Sequence, residues 1–379
     1  MSLSREAAMG HTPYILMVAA VLLFGAIMPQ KGPKRIRYII LMTVLHTCLC
    51  GFRYQLITGD LHKYYWIFRD SGTYGWFSAE LWAEGRNFGF FYFNKLIYLL
   101  SDGDFQVFLF VIAAIVHIAL GYVIHRYSPA PWFSYLVWNC MAFYIFGFNA
   151  IKQALAMAFV MLAFVGIAEK RLRLYLVMMA LAGAIHMPAL VFLPAYWLAQ
   201  MRVRPHTLAL YLIAGIALYV FRNEFVAFIR TFYYEDDEIM IHSGEIGSRM
   251  IMILGFALFG LLFRGFRDSV VDDLFHIMAV ASILQLLAGF DNIFTRLTDY
   301  YFQMSVLYLP MVFFPRDGIL LRQDGMGAVF PFNRRSAAFL AVFVAVFVLW
   351  FYWTYNINIT IEYEVDNYLN YRSMWDVIP

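Results

Sequence analysis

The chain of 379 residues is 63% hydrophobic and 19% aromatic but only 14% charged, with a formal net charge of +3. Soluble domains lie nearer half apolar and a quarter charged, so this composition calls for lipid as solvent. So small a net charge gives no reason to expect a nucleic-acid partner. Cys48, Cys50 and Cys140 all fall in apolar runs. They read as buried small hydrophobes, not as a disulfide framework or a metal site.

Roughly 20 apolar residues cross a bilayer as a helix. In chain order the runs predict spans over about 13–29, 36–52, 105–124, 132–148, 151–168, 206–221, 249–263, 274–289, 301–315 and 336–354. The first run lacks a basic flank and an A-x-A site, so it is expected to be a retained helix and not a cleaved signal. The stretch 88–101 is apolar yet contains Asn94 and Lys95, which suits a helix lying along the interface. The stretch 172–200 is broken by His186, Pro188 and Pro194.

Lys and Arg in short loops mark the cytoplasmic side. Lys31, Lys34, Arg35 and Arg37 place the first loop inside, and Arg126, Lys170, Arg171 and Arg173 follow suit. A single helix over 172–200 would then expel Arg202, Arg204, Arg264, Arg267, Arg316, Arg322, Arg334 and Arg335. A hairpin of two short arms turning at Ala184-Ile185-His186 returns them all. Its turn would sit below the outer surface, where irregular backbone must line a protein-walled or watery cavity. The expected fold is therefore an all-α polytopic membrane protein of about ten to twelve transmembrane helices. It includes a broken or re-entrant hairpin near 172–200 and a long outer loop 53–104. No Pro/Gly/Ser linker or repeat divides it, so residues 1–379 are expected to form one integral membrane domain.

That topology gathers polar residues from distant parts of the chain at the outer mouth: Arg53, Asp60, Tyr64, Tyr65, Arg69, Glu80, Glu84 and Arg86, then Lys152, Gln153 and His186, then Asp291, Arg296, Asp299, Tyr300 and Tyr301. Ionisable groups near a bilayer are costly, so a cluster of them suggests a site. Each also has a plainer reading. Arg69, Arg86, Glu80 and the run 235–238 suit solvated loop charges. Lys152 can snorkel from a helix start. His46, His117 and His276, inside apolar runs, suit helix packing. The tyrosines suit an interfacial aromatic belt. The chain has no Walker loop, dinucleotide fingerprint, H-E-x-x-H or G-x-S-x-G, and no Cys/His spacing suited to zinc. No cofactor, metal or nucleotide donor is expected.

The order of these residues resembles the EpsG-type branch of Wzy-like exopolysaccharide polymerases. Arg53 ends the second span and is followed by Gly59-Asp60 and Tyr64, as in G-x-D-x-x-x-Y. Glu84 precedes an aromatic stretch. Ile151-Lys152-Gln153-Ala154-Leu155-Ala156 is similar to I-R-Q-x-(I/L)-A. His186-Met187-Pro188-Ala189 stands where the family has a His before a small residue and Ala. Arg296, Tyr300 and Tyr301 match R-x-x-x-Y-(Y/F). The likeness spans roughly residues 40–315. Lys replaces Arg at 152, so that position offers a point charge and no bidentate fork, and the HMPA spelling displaces the small residue by one.

The resemblance implies a bacterial cytoplasmic-membrane glycosyltransferase with its active face outside. Its substrates would be oligosaccharide repeats on a polyprenyl diphosphate, polymerised without a metal, with a chain-length regulator and a flippase as expected partners. In that chemistry Arg53, Lys152 and Arg296 would bind the departing diphosphate more tightly as charge develops. Asp60, Glu84 or His186 would take the acceptor proton, with His186 or Glu84 favoured over Asp60. Tyr64, Tyr65, Gln153, Tyr300 and Tyr301 would hold the glycan. Two alternatives stay open. A transporter or flippase fits the broken helices. A membrane O-acyltransferase with His186 as base needs an acyl donor from the cytoplasm.

Overall fold

A computed structural model describes residues 3–55, 59–78, 87–233, 247–264, 269–291, 293–314 and 334–352. Among them all extended regular structure is helical, and the helices are numbered here in chain order. They divide into two compact units: Met1–Leu162 with Ala180–Met187 and Leu340–Pro379, and Ala163–Met179 with Pro188–Phe339.

The first unit opens with α1 (Leu3–Ile27), α2 (Ile36–Gly51), α3 (Gly59–Thr73), α4 (Phe88–Leu100) and α5 (Phe105–Tyr127). Asp104 caps α5: its Oδ1 accepts from the backbone N–H of Gln106 at 2.7 Å and of Val107 at 3.2 Å, closing two donors a helix start leaves open. Pro131, at the first position of α6 (Pro131–Cys140), gives up an N–H that has no helical partner there. The expected span 132–148 is in fact broken. Ala142 adopts φ 67°, a left-handed conformation unusual for a residue with a Cβ, and α7 (Phe143–Asn149) starts afresh. Within this unit α2 packs along α5, α3 on α4, and α6 on α1 and α7.

The chain continues through α8 (Ile151–Ala168) and α9 (Leu172–Ile185). Helix α9 stops at the residue before His186, where the sequence predicts a break, and a 3-10 segment (Met187–Phe192) and α10 (Ala195–Ala199) follow. The second arm returns to the base of the first. Tyr175 donates its hydroxyl to the carbonyls of Phe192 at 2.6 Å and Leu193 at 3.0 Å, and its ring lies 5.1 Å from that of Tyr196. Residue 175 meets residues 192–196 only if the chain doubles back, so 172–200 is a hairpin.

In the second unit α11 (Pro205–Val220) turns by 80° into α12 (Arg222–Tyr233). Phe225, Val226 and Ile229 of α12 pack with Leu287, Phe294 and Leu297, so the stretch after the expected span 206–221 begins as an amphipathic helix. Then come α13 (Ser248–Phe259), a π-helical turn (Gly260–Arg264), α14 (Ser269–Leu286), α15 (Ile293–Phe302) and α16 (Ser305–Phe313). Helix α14 is the hub, contacting α10, α11, α13, α15 and α16. Helix α17 (Arg334–Phe351) closes the described chain.

Among the described residues three helical stretches are each long and apolar enough to cross a membrane: Phe105–Tyr127, Ile151–Ala168 and Val270–Gly289. The bent pair α11–α12 makes a fourth, and shorter apolar helices include Thr12–Ile27, Leu172–Ile185 and Ser248–Leu262. With this many apolar helices, and lipid-suited side chains such as Leu16, Ile118, Leu212 and Val342 left exposed, the chain is a polytopic α-helical membrane protein.

Candidate functional site

In the first unit, four helix ends meet. Arg53 follows α2, Asp60 opens α3, Asn149 closes α7, and Lys152 and Gln153 open α8. Asn149 donates its side-chain amide to Asp60 Oδ2 at 2.9 Å, tying the start of α3 to the turn between α7 and α8. The neighbouring Phe148 lies under the Arg53 guanidinium, 5.3 Å from carbon to ring centroid. Gln106 of α5 fixes the chain leaving α2 by donating to the carbonyls of Gly51 at 2.6 Å and Arg53 at 3.0 Å. Arg53, Asp60, Lys152 and Gln153, separated by up to a hundred positions in the sequence, are thus held around one turn.

Arg53 departs from a surface phosphate ligand in one respect: it is only 1% exposed. Its Nη1 donates to the carbonyl and the sulfur of Cys50, while Nε and Nη2 have no partner. A buried donor left unmade costs about 1–3 kcal/mol. Beside it is a cavity of about 10 Å³, lined also by His117, Trp138 and Tyr144. Trp138 Nε1 is buried and unbonded too. His46, beyond His117, is by contrast a packing group, as expected. It is bonded to the Met42 carbonyl at 2.7 Å and to the Asn139 amide at 2.9 Å.

His186 is half-buried at the hairpin tip. There Met187 N–H donates to Asn87 Oδ1 at 3.5 Å, and a Cβ added to Gly89 would lie 2.7 Å from the Ala184 Cβ, so the tip seats closely on the start of α4. Glu84, like Glu80 and Arg86, lies outside the described residues. Tyr64 packs its ring 5.8 Å from Phe90. Tyr65 lies 5.4 Å from Phe105, with the Arg69 guanidinium 5.9 Å from its centroid.

Lys95 has a structural role that its sequence neighbourhood does not announce. It is 4% exposed, and its ammonium donates to the carbonyls of Ser71 at 3.4 Å, Gly72 at 3.3 Å and, more closely, Tyr74, with the Trp76 ring 5.2 Å away. These are the open carbonyls at the end of α3, so Lys95 caps the helix that carries Asp60. A helix is present over the expected stretch 88–101, and its lysine faces protein.

In the second unit, Arg296 is exposed while its neighbours are not. Tyr300 and Tyr301 are 0% and 1% exposed, and the Tyr301 hydroxyl donates to the Val191 carbonyl at 2.6 Å. Neither ring offers a face to a sugar in this conformation. Their place in the sequence suggested a belt or a glycan contact because hydropathy alone does not separate a tyrosine that packs inward from one that faces out. Asp299 is buried and ion-paired with Arg249, whose guanidinium also lies 5.5 Å from the Phe302 centroid. Burial pushes the Asp299 carboxyl above the usual range, and Arg249 and then Arg296 oppose that shift. Arg249 was not foreseen either. Its partner is fifty residues away, and no local pattern announces it. Among the described residues no group of three or more His, Cys, Asp or Glu could hold a metal ion.

An apolar helical framework with arginine, lysine, carboxylate and amide groups gathered where its helices end defines a multi-pass membrane protein with a polar site. The chain belongs to the EpsG family, whose sequence profile matches residues 36–373. No characterised protein and no solved structure matches it. Membership of that family supports a polysaccharide-polymerase type of role, with a lipid-linked oligosaccharide in a membrane as the kind of substrate.

Proposed function

We propose that this protein polymerises polyprenyl-diphosphate-linked oligosaccharide repeats on the outer face of a bacterial cytoplasmic membrane. The observation that carries the reading is the meeting of Arg53, Asp60, Asn149 and Lys152 at four helix ends, in a chain of this family. The growing glycan leaves its carrier as the bond between its anomeric carbon and the diphosphate oxygen breaks. That carbon bonds to a hydroxyl of the next lipid-linked repeat. The hydroxyl proton passes to a base, and the lipid diphosphate departs with the bonding electrons. Arg53, Lys152 and Arg296 stabilise the charge gathering on the diphosphate. His186 or Glu84 takes the proton, with Asp60 as the third candidate. Tyr64, Tyr65 and Gln153 hold the glycan. A flippase and a chain-length regulator are the partners this role calls for.

Purified protein in detergent, given lipid-linked repeats, is the test. A ladder of products without a membrane barrier is polymerisation. Arg53→Ala, Arg296→Ala and His186→Ala should each abolish long products while the protein still inserts. Normal chain lengths in all three would refute the reading. Glycan movement across a sealed vesicle with no ladder in detergent would establish the transporter instead.

A further inference from the structure

We infer that the chamber beside Arg53 is an anion pocket that receives one terminal oxygen of a phosphate group, with Arg53, Trp138 and His117 as its walls. The inference deepens the polymerase reading and rests on it for the identity of the phosphate, which is that of an isoprenyl diphosphate.

Three observations carry it. Arg53 is charged and buried, its Nε and Nη2 are unbonded, and among the described residues no carboxylate pairs with it. A buried cation without an anion is expensive in a low-dielectric interior. Next, the unmade polar groups are not scattered. Trp138 Nε1 is also unbonded, and Trp138 lines the same cavity as Arg53. Buried polar groups are satisfied in nearly all native proteins, so several on one chamber mark a missing common partner. Finally, the chamber's size of about 10 Å³ admits one oxygen atom. The tetrahedral remainder of a phosphate must stay outside it. The indole and guanidinium nitrogens can only donate. Such a set prefers an anionic oxygen, which accepts from several donors, over a water that must also give its own two hydrogens away. Gly147 forms part of the wall, and a Cβ there would meet nothing closer than Ala154 Cβ at 3.9 Å.

The test measures binding of an isoprenyl diphosphate to detergent-purified protein. Wild type is compared with Trp138→Phe, which keeps the ring and removes the N–H, and with His117→Phe. The matching isoprenyl alcohol and inorganic pyrophosphate serve as parallel probes. We expect about a tenfold loss of diphosphate affinity in each variant, with alcohol binding unchanged. Each variant's melting temperature without ligand reports its folding. Pyrophosphate that competes with the lipid identifies a pocket for phosphate as such; pyrophosphate that fails to compete identifies a lipid-headgroup pocket. Unchanged diphosphate affinity in folded Trp138→Phe overturns the inference and leaves a water-filled chamber. That result leaves the polymerase reading standing. Diphosphate binding that is lost in both variants, in a wild type that forms no ladder, overturns the polymerase and keeps the pocket.

Discussion

Replacing Lys95 by Met isolates what holds α3 in place. Methionine keeps the length and apolar stem of the side chain and removes the ammonium. Three carbonyls, those of Ser71, Gly72 and Tyr74, then lose their donor. A hydrogen bond to a charged group is worth about 1.5–3 kcal/mol, and a cation at a helix C-terminus about 0.3–1 kcal/mol. The three bonds share one ammonium, and two of the carbonyls belong to partly exposed residues that water can reach. Removing a buried charge also recovers its desolvation cost, so the sum falls well short of three full bonds. The expected loss is about 2–4 kcal/mol, or a fall in melting temperature of roughly 4–16 °C for a body of this size. Thermal unfolding in detergent, followed by circular dichroism, reads the stability. Because Asp60 begins the helix that Lys95 ends, polymer length should shorten as well. A melting temperature within about 1 °C of wild type, at this scale, would refute the cap.

Other perturbations probe the second unit and the site turn. Arg249→Met strands the buried Asp299 carboxylate and should cost about 3 kcal/mol, while Arg249→Met with Asp299→Asn should recover most of it; a double-mutant cycle with no coupling refutes the pairing. Asp299 holds its proton above the usual carboxylate range when folded, so its contribution to stability is greatest at acid pH and declines as pH rises through that raised value. Losing Arg249 raises it further, so the melting deficit of Arg249→Met should shrink on acidification, and a deficit that grows would contradict the sign. Tyr301→Phe removes the bond to Val191 and leaves that carbonyl unmet, costing about 1–3 kcal/mol, seen as a lower melting temperature with substrate affinity unchanged. Gly166→Ala would set a Cβ 2.7 Å from the backbone nitrogen of Tyr175, and should greatly reduce folded protein on size-exclusion chromatography.

What the sequence made legible were features written in local pattern. Hydropathy located α2 over 36–51 against an expected 36–52, and α8 over 151–168 as expected. The prolines and histidine of 172–200 located the break, and the count of loop arginines required the hairpin whose arms Tyr175 joins. The turn around Asn149 was also visible, because a lysine and glutamine opening an apolar helix interrupt its composition. What escaped depends on partners distant in sequence or on conformation without a composition signal. Met141 and Ala142 look like span residues, yet a left-handed Ala142 divides α6 from α7. The expected span 301–315 is split between α15 and α16 at Gln303-Met304, with no proline or glycine at the joint. Lys95 reads as an interface charge and Arg249 carries no signal at all, because their partners lie 21–24 and fifty residues away. The same limit applies to Arg53. The family resemblance implied a phosphate ligand at the outer mouth, while its 1% exposure puts the guanidinium inside. A charge that a protein keeps buried without a counter-ion needs one when it works. The cost of that burial, not its place in a motif, is the physical reason to look for an anion there.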